Sequence, residues 1–436
     1  MNHQNSFGGQ TTRWLIAILC TGFLLQIWLF FRGWLSGDQV ILLQTGLDFA
    51  KHQELHPVAK GMSGAGHIPG SLLQLLIGIP LLLFPHFKAP NVVVSLSHLA
   101  AVFLLLGVLH RSMGARFTVV FLGLYWLSPW RLYHSGFLWE PSLLYLPAAL
   151  HLWGCWKSRD ERSFQPSLVI GLLITTTLQI HGSFLVLWVL TAILWARRSI
   201  RVNYIAFAIG VIAGGLTLIP TAVAFFQGEL PPVNPPDGFI GRGLVYVFPL
   251  LKSVLYWLRF ISLDAGGIIK HTVFLNKEWA SAGTDHQILS ITVTVLYYIS
   301  VASIVLCAIA VYRLFRVYWK KDSRPGGDAG WIMQYTVMAF IAMLIAAGLS
   351  PVTIQGWHVI IILHAACISG ACWLVKKWQD GGRLIKWAII VLIVLRLPLG
   401  LVIGFGHERY RTEPLNERIS EDMITPELIE ILPPNP

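Results

Sequence analysis

Two acidic residues lie where a chain at a membrane surface could use them for acid–base chemistry. Asp38 comes directly after the first long apolar run, and Glu140 lies at the edge of a later apolar helix. A carboxylate that is partly removed from water is a stronger base than a hydrated one, so either residue could accept a proton from a hydroxyl group. Asp38 could instead be the N-cap of a helix that begins near Val40. Both interpretations of Asp38 remain open, and Asp48 is a third acidic candidate.

Glu140 belongs to a segment, Pro129 to Ser142, that also contains cationic side chains. An ionisable residue at the edge of an apolar helix is costly and usually functional. Arg131 and His134 are close enough in sequence to pair with Glu140 or with a phosphate group. The alternative is a belt of interfacial aromatic residues with an incidental charge. The functional interpretation of this segment is favoured.

Other polar residues lie at helix ends that are predicted to share the face of Glu140. Gln179 and His181 occur in the segment LQIHGS, and His358 follows Gln355 at the start of a later apolar run. Together these groups predict a polar cavity that opens on this face. The candidates for binding an anionic group such as a phosphate are Lys60, His67, Arg131, His134, His181, Arg242, Lys270 and His358.

The composition indicates whether the helices that position these residues lie in water or in a membrane. The chain has 436 residues, of which 55% are hydrophobic and only 12% charged, and its mean hydropathy is +0.64. These values are typical of an integral membrane protein and exclude a set of soluble domains. The net charge of +11 does not indicate nucleic-acid binding, because the basic residues form short clusters at helix ends. The five cysteines all lie in apolar runs and are predicted to be small packing residues.

The basic clusters determine the predicted topology. They occur at residues 111–116, 157–162, 197–201, 313–324 and 376–386. The positive-inside rule places all of them in the cytoplasm. With a cytoplasmic N-terminus, this is possible only if the segment from Gly70 to Phe84 does not cross the membrane. That segment is also short for a crossing and contains Gly78 and Pro80.

We therefore predict an all-α polytopic membrane bundle of about eleven transmembrane helices. The crossings lie near residues 14–31, 91–110, 117–135, 137–156, 164–181, 183–196, 204–226, 287–312, 331–349, 352–375 and 384–404. The first outer loop is predicted to contain an interfacial helix at Val40 to Lys51 and a re-entrant or membrane-parallel helix from Gly70. Most of the 21 acidic residues then lie outside, and an amphipathic stretch occupies Leu244 to Ile261.

Six segments follow from this topology. They are the N-terminus with the first span (1–31), the first outer loop (32–90), a core transmembrane module (91–226), a second large outer loop (227–286), the C-terminal transmembrane helices (287–404) and an acidic, Pro-rich outer tail (405–436). The tail is predicted to be peripheral. The first outer loop is predicted to hold the active site.

The order of these features resembles the GT-C membrane glycosyltransferases, specifically the family-39, ArnT-like group that uses polyprenyl-phosphate sugars. The resemblance rests on an acid after the first span, a His- and Pro-rich first outer loop with GHIPGSLLQLLIGIPLLLF, then SPWRLYHSGFLWEPSLL and LQIHGSFLVL. The resemblance is good from Trp14 to Arg201. In the remainder of the chain it concerns mainly the arrangement of spans and loops. It implies a GT-C fold with interfacial helices in the first outer loop.

The resemblance also implies residue roles. Asp38 would deprotonate the acceptor hydroxyl, and Glu140 would occupy the second acidic position beneath it. Many relatives carry Asp-Glu where this chain has Asp38-Gln39. Asp48 or Glu140 would then supply the second carboxylate. No metal-binding constellation is visible, and the implied reaction requires no cofactor beyond the lipid-linked donor, although a divalent metal is compatible with it.

The predicted function is inverting transfer of a sugar from a polyprenyl phosphate to an acceptor hydroxyl on the extracytoplasmic face. The acceptor could be a glycolipid, a polysaccharide or a protein, and the oligomeric state is left open. Two alternatives are a transporter or flippase of lipid-linked sugars and a non-catalytic scaffold of the same fold. The absence of an internal repeat disfavours the transporter, and Gln39 makes the scaffold conceivable.

Overall fold

The chain forms a multi-pass bundle of apolar helices. The computed structural model describes residues 3–33, 35, 37–62, 66–230, 247–264, 284–320, 326–350, 354–412 and 424–432. Within these residues, seven helices are long and apolar enough to cross a membrane: Thr11–Phe31, Ala89–Met113, Tyr204–Gln227, Tyr298–Trp319, Gly327–Gly348, Ile360–Asp380 and Arg383–Gly404. The predicted all-α polytopic membrane fold is confirmed.

The described elements follow one another along the chain with a single β-hairpin in the first outer loop. They are α1 (His3–Phe31), α2 (Gly37–His52), β1 (Val58–Met62), β2 (Gly66–Pro69), α3 (Leu72–Leu83), α4 (Ala89–Met113), α5 (Ala115–Tyr125), α6 (Pro129–Ser135), α7 (Tyr145–Lys157), α8 (Phe164–Leu178), α9 (Phe184–Ala196), α10 (Tyr204–Gly215), α11 (Ile219–Gln227), α12 (Val247–Ile261), α13 (Thr284–Trp319), α14 (Gly327–Gly348), α15 (Leu363–Asp380), α16 (Arg383–Val394), α17 (Arg396–Thr412) and α18 (Pro426–Ile431). Short 3₁₀ helices occur at Glu140–Leu144, Leu216–Leu218, Gly356–His358 and Ile360–Ile362.

The first outer loop contains two helices that pack on each other, as an interfacial arrangement requires. In α2, a Cβ added at Gly46 would lie 2.5 Å from the Cγ2 atom of Ile77 in α3. In α3, a Cβ at Gly78 would lie 2.7 Å from the carbonyl oxygen of Gly46. These two glycines therefore allow the helix backbones to approach closely. At 12 residues α3 is about 18 Å long, shorter than the hydrocarbon layer.

The basic loops meet at one end of the bundle. The amide of Arg201 donates to the carbonyl of Ser158 at 2.6 Å, and Arg159 forms an ion pair of 2.8 Å with Asp328. The indole nitrogen of Trp331 donates to the carbonyl of Ser199 at 2.9 Å. Three of the predicted cytoplasmic segments thus lie side by side, as expected if they share one face of the membrane.

The apolar run at residues 117–135 is not one continuous helix. Helix α5 ends at Tyr125, and α6 begins at Pro129. Ser128 is extended, with φ −59° and ψ 127°, because the ring of the following proline disfavours helical geometry there. The run at residues 137–156 is also interrupted: the 3₁₀ helix Glu140–Leu144 precedes α7. Hydropathy alone did not show either interruption.

Candidate active site

Four helices of the bundle are too short to span the membrane as single rods. Helices α5, α7, α8 and α9 have 11, 13, 15 and 13 residues, which corresponds to about 16–23 Å against a hydrocarbon layer of about 30 Å. All four have their basic residues at the shared basic end. Beyond their other ends the chain continues as junctions that contain polar residues.

The two junctions, between α5 and α7 and between α8 and α9, meet a third segment, the one before α15, through aromatic and imidazole rings. The rings of His134 and Trp139 stack at 5.6 Å with an interplanar angle of 3°. Trp139 lies 5.3 Å from Trp357, and the rings of His181 and His358 stack at 5.7 Å. Residues that are far apart in the sequence thus form one continuous row of ring contacts. We call this group of five residues the ring cluster.

Hydrogen bonds fix the two stacked histidines of the ring cluster. The Nδ1 atom of His181 accepts from the amide of Ser183 at 3.1 Å, and the Nδ1 atom of His358 accepts from the amide of Gln355 at 2.9 Å. The hydroxyl of Ser183 donates to the carbonyl of His358 at 2.8 Å. Because Nδ1 is the acceptor in both neutral rings, Nε2 carries the proton.

Glu140 lies beside the ring cluster, while the neighbouring Arg131 has a structural role. Glu140 begins its 3₁₀ helix directly after Trp139 and is buried, with 4% of its surface exposed. Arg131 is fully buried; its Nε and Nη1 atoms donate to the carbonyl of Trp126 at 2.8 Å and to Oε1 of Gln26 at 2.6 Å. Its guanidinium also lies 3.7 Å from the centre of the Trp126 ring. Arg131 thus stabilises the break after α5.

Asp38 lies in the first turn of α2 and is exposed. The helix begins one residue earlier, at Gly37, and the positive end of its dipole stabilises a carboxylate in this turn. A Cβ at Gly33 would lie 2.2 Å from the carbonyl oxygen of Gly136, so α1 ends against the chain that leads to Glu140. Asp38 follows Gly33 by five residues and Glu140 follows Gly136 by four, so both acids are close in sequence to this backbone contact.

Asp48 lies at the opposite end of α2. Ten residues of helix separate it from Asp38, a distance of about 15 Å along the axis. Its Oδ2 atom is 3.1 Å from Nε2 of His56. The two carboxylates therefore lie near opposite ends of α2, and Asp48 faces His56.

The β-hairpin of the first outer loop contains His67 and the backbone of Lys60. Gly61 pairs with His67, and Lys60 pairs with Ile68. After β2, the amide of Gly70 donates to Oγ1 of Thr221 at 2.7 Å, which ties the hairpin to α11. Two other predicted anion-binding residues, Arg242 and Lys270, lie outside the described residues.

Helix α12 packs over the ring cluster. The indole nitrogen of Trp130 donates to the carbonyl of Asp264 at 2.8 Å. The hydroxyl of Tyr256 donates to Oε1 of Gln355 at 2.9 Å, which places α12 against the residue that fixes His358. Arg259 pairs with Asp264 and lies 5.4 Å above the ring of Trp130. Three sides of the site are thus described: the first outer loop, the short-helix junctions and α12.

The structure is similar to two crystal structures of ArnT from Cupriavidus metallidurans. For the form bound to undecaprenyl phosphate, the sequence identity is 11%, the match covers 92% of this chain and 76% of ArnT, and the TM-score is 0.50. For the apo form these values are 12%, 92%, 75% and 0.49. This chain has an ArnT-like fold. The GT-C fold implied by the sequence resemblance is thereby confirmed, whereas no protein-family model and no curated protein matches the chain.

Arg259 and Tyr256 lie beside this candidate site, and the sequence did not indicate either of them. The sequence predicts an amphipathic stretch here but no role for the arginine near its end. The available signal was an Arg in the last turn of a helix with Asp264 five residues later. Among the described residues, no group of three or more His, Cys, Asp or Glu side chains could hold a metal ion.

A substitution at Gly70 tests how the hairpin is attached. Gly70 has φ +85°, and a Cβ there would lie 2.1 Å from Oε1 of the buried Gln179. Gly70→Ala is expected to lower stability by about 1–3 kcal/mol, because it adds both backbone strain and a steric clash. Thermal unfolding of the purified protein measures the loss. Gly61→Ala is the control, since its nearest neighbour would be 3.9 Å away; equal melting temperatures for the two variants would contradict the prediction.

Proposed function

We propose that this protein is an integral membrane glycosyltransferase that moves a sugar from a polyprenyl phosphate to an acceptor hydroxyl. One observation carries the proposal: the fold matches a protein whose crystal structure contains undecaprenyl phosphate, and the polar junctions of this chain meet at one end of that fold. Lipid-facing helices around a recessed polar site suit a substrate with an apolar tail and a charged head.

The reaction needs a base beside the sugar. In the proposed mechanism, Asp38 accepts the proton of the acceptor hydroxyl, and the acceptor oxygen attacks the anomeric carbon from the face opposite the phosphate. The bond between the anomeric carbon and the phosphate oxygen breaks, and its electron pair remains on the polyprenyl phosphate. The configuration is inverted. Glu140, at the edge of the ring cluster, is the second acid of the site.

The departing phosphate needs hydrogen-bond donors that are fixed in place. The Nε2–H groups of His181 and His358 meet this requirement without carrying a full charge. Arg259 adds a cation, and its Nε–H group is directed at Asp264. A guanidinium has five N–H donors in a planar fork, so one arginine can bind an aspartate and a phosphate together.

The orientation follows from charge. The basic loops that meet at one end of the bundle belong in the cytoplasm by the positive-inside rule. The ring cluster lies at the opposite ends of the same helices, on the extracytoplasmic face. This orientation also places the N-terminus in the cytoplasm and suits a bacterial inner membrane.

Purified protein and a panel of labelled polyprenyl-phosphate sugars test this function. We expect one donor to be consumed, by transfer to acceptors in added membrane extract or by slow hydrolysis. Binding of every donor without turnover would indicate the scaffold, and movement of the intact donor across proteoliposome membranes would indicate the flippase. Either result would overturn the proposal.

Arg259→Lys tests the phosphate-binding role. Lysine keeps a counter-charge for Asp264 but loses the planar fork. We expect the KM for the donor to rise about tenfold with a smaller change in kcat, which corresponds to about 1.4 kcal/mol of lost binding. Steady-state kinetics with varied donor concentration measure this split. Lys252→Gln, seven residues earlier on α12, is the control, and a similar KM change in both variants would rule out a specific role for Arg259.

A further inference from the structure

A cavity of about 360 Å³ lies between α2 and the C-terminal helix α18. It is separate from the ring cluster, because it lies at the Asp48 end of α2. Its lining residues are Gln44, Leu47, Asp48 and His52 from α2, and Thr425 and Glu427 from the C-terminal segment. This volume falls in the range of small-molecule sites. The proposed sugar transfer does not use this cavity.

The C-terminal wall of the cavity is firmly docked. A six-residue helix such as α18 is not stable alone in water, so its order depends on packing. Leu428 and Ile431 are buried, with 0% and 2% of their surface exposed. The carbonyl of Ile431 accepts from the amide of Phe87 at 3.0 Å, and Glu430 pairs with Lys51 of α2. The segment Pro426–Ile431 of the tail is therefore a fixed wall of the cavity.

The side chains of the cavity offer mainly hydrogen-bond acceptors. Asp48 and Glu427 supply carboxylate oxygens, while Gln44 and Thr425 can both donate and accept. The pKa of Glu427 is lowered by hydrogen bonds from its own backbone amide and from Thr425, and further by the nearby Lys51 and His52. Its carboxylate is thus held in the ionised, accepting form.

This chemistry selects among ligand classes. Among the described residues, neither lysine nor arginine lines the cavity, which disfavours an anionic ligand, and Leu47 is the sole aliphatic side chain there, which disfavours an acyl chain. A neutral ligand with many hydroxyl groups can donate to the two carboxylates and exchange hydrogen bonds with the amide and the hydroxyl. A saccharide has this character.

We propose that the cavity between α2 and α18 binds a saccharide portion of the acceptor. The cavity lies about 15 Å along α2 from Asp38, so an acceptor of several sugar units could occupy it while a hydroxyl reaches the base. Saccharide binding itself is independent of the glycosyltransferase function; only its assignment to the acceptor rests on that proposed function.

Binding of disaccharides without any donor tests the cavity directly. The full-length protein is placed in lipid nanodiscs, because detergents with sugar headgroups would compete, and is titrated with cellobiose, maltose, lactose and diacetylchitobiose. We expect at least one to bind saturably, and the double variant Asp48→Asn/Glu427→Gln to weaken it at least tenfold. The control is Asp160→Asn/Glu161→Gln at the basic end of the bundle, which should bind like the unmodified protein. Lack of binding of all four, or equal binding by both double variants, would overturn the proposal.

The role of α18 as a wall has its own test. Leu428→Asp places a charge at a fully buried position, whereas Ile429→Asp changes a neighbour that is 60% exposed. We expect Leu428→Asp to abolish disaccharide binding and to increase hydrogen exchange in residues 44–52, with Ile429→Asp close to the unmodified protein in both. Retained binding in Leu428→Asp despite increased exchange would show that α18 is not part of the site. If disaccharides bind but no donor is turned over, the saccharide site stands and its assignment to the acceptor fails. If a donor is turned over but no disaccharide binds, the glycosyltransferase function stands and the saccharide site fails.

Discussion

Asp38→Asn is expected to lower the rate of sugar transfer by about a hundredfold to ten-thousandfold, the usual contribution of a positioned general base. Asparagine has nearly the same shape as aspartate, but it cannot accept the proton of the acceptor hydroxyl. The donor does not need this carboxylate for binding, so its affinity should be unchanged. Initial rates with a labelled donor, together with direct donor binding, measure the two quantities separately.

Two matched variants define the control. Asp38→Glu keeps a carboxylate but moves it by one methylene, so it should retain measurable transfer. Glu54→Gln removes an exposed carboxylate from the same outer loop and should transfer sugar like the unmodified protein. Full turnover by Asp38→Asn would eliminate Asp38 as the base and leave Glu140 as the first alternative.

The same variants decide between the two interpretations of Asp38 that the sequence left open. A carboxylate in the first turn of a helix contributes about 0.3–1 kcal/mol through the helix dipole. If Asp38 only stabilises α2, Asp38→Asn should lower the melting temperature slightly and activity in proportion. If Asp38 is the base, activity falls by orders of magnitude in a protein that is almost as stable as before.

Charge and hydropathy predicted those parts of the fold that depend on which loops share one face of the membrane. The basic clusters required that the segment from Gly70 not cross, and the structure has only the 12-residue α3 there. The motif around His134 and Trp139 and the segments containing His181 and His358 were predicted to share a cavity, and their rings do meet. Such features depend on the order of short motifs and on which membrane face each loop occupies.

The remaining features depend on contacts between distant segments, which periodicity cannot show. Arg131 was predicted to bind phosphate, and its Nε and Nη1 atoms donate to Trp126, five residues away, and to Gln26, 105 residues away, which the sequence did not indicate. Arg259 lies near the candidate site because α12 packs on Trp130. The C-terminal helix α18 lines the cavity because it contacts α2. A single sequence without covariation carries no signal for these pairs.

Arg396→Met is expected to be the most destabilising single change in the protein. Arg396 is fully buried; its Nη1 atom donates to the carbonyl of Leu124 at 2.9 Å, and its Nη2 atom donates to the carbonyls of Ile261 and Ser262. These carbonyls lie at the ends of α5 and α12, where the last turns lack helical partners. Each buried carbonyl left without a donor costs about 1–3 kcal/mol, so we expect a loss of about 3 kcal/mol or more.

Thermal and denaturant unfolding of detergent-solubilised protein measure this loss. Arg396→Lys should be intermediate, because an ammonium group keeps the positive charge beside two helix C-termini but cannot span both sets of carbonyls. Arg383→Gln, at the exposed basic end of α16, should be close to neutral. A Met variant as stable as the Arg383 control would refute the capping role.

The effect of Arg396 should extend to the site. Arg396 holds the end of α12 two to three residues from Arg259, and α12 in turn contacts Trp130 and Gln355. The Lys variant, which should fold, is therefore expected to raise the KM for the donor in the same direction as Arg259→Lys. Because both substitutions act on one helix, their combined effect should be smaller than the sum of their separate effects. Additive effects in the double variant would mean that Arg396 stabilises the bundle without positioning Arg259.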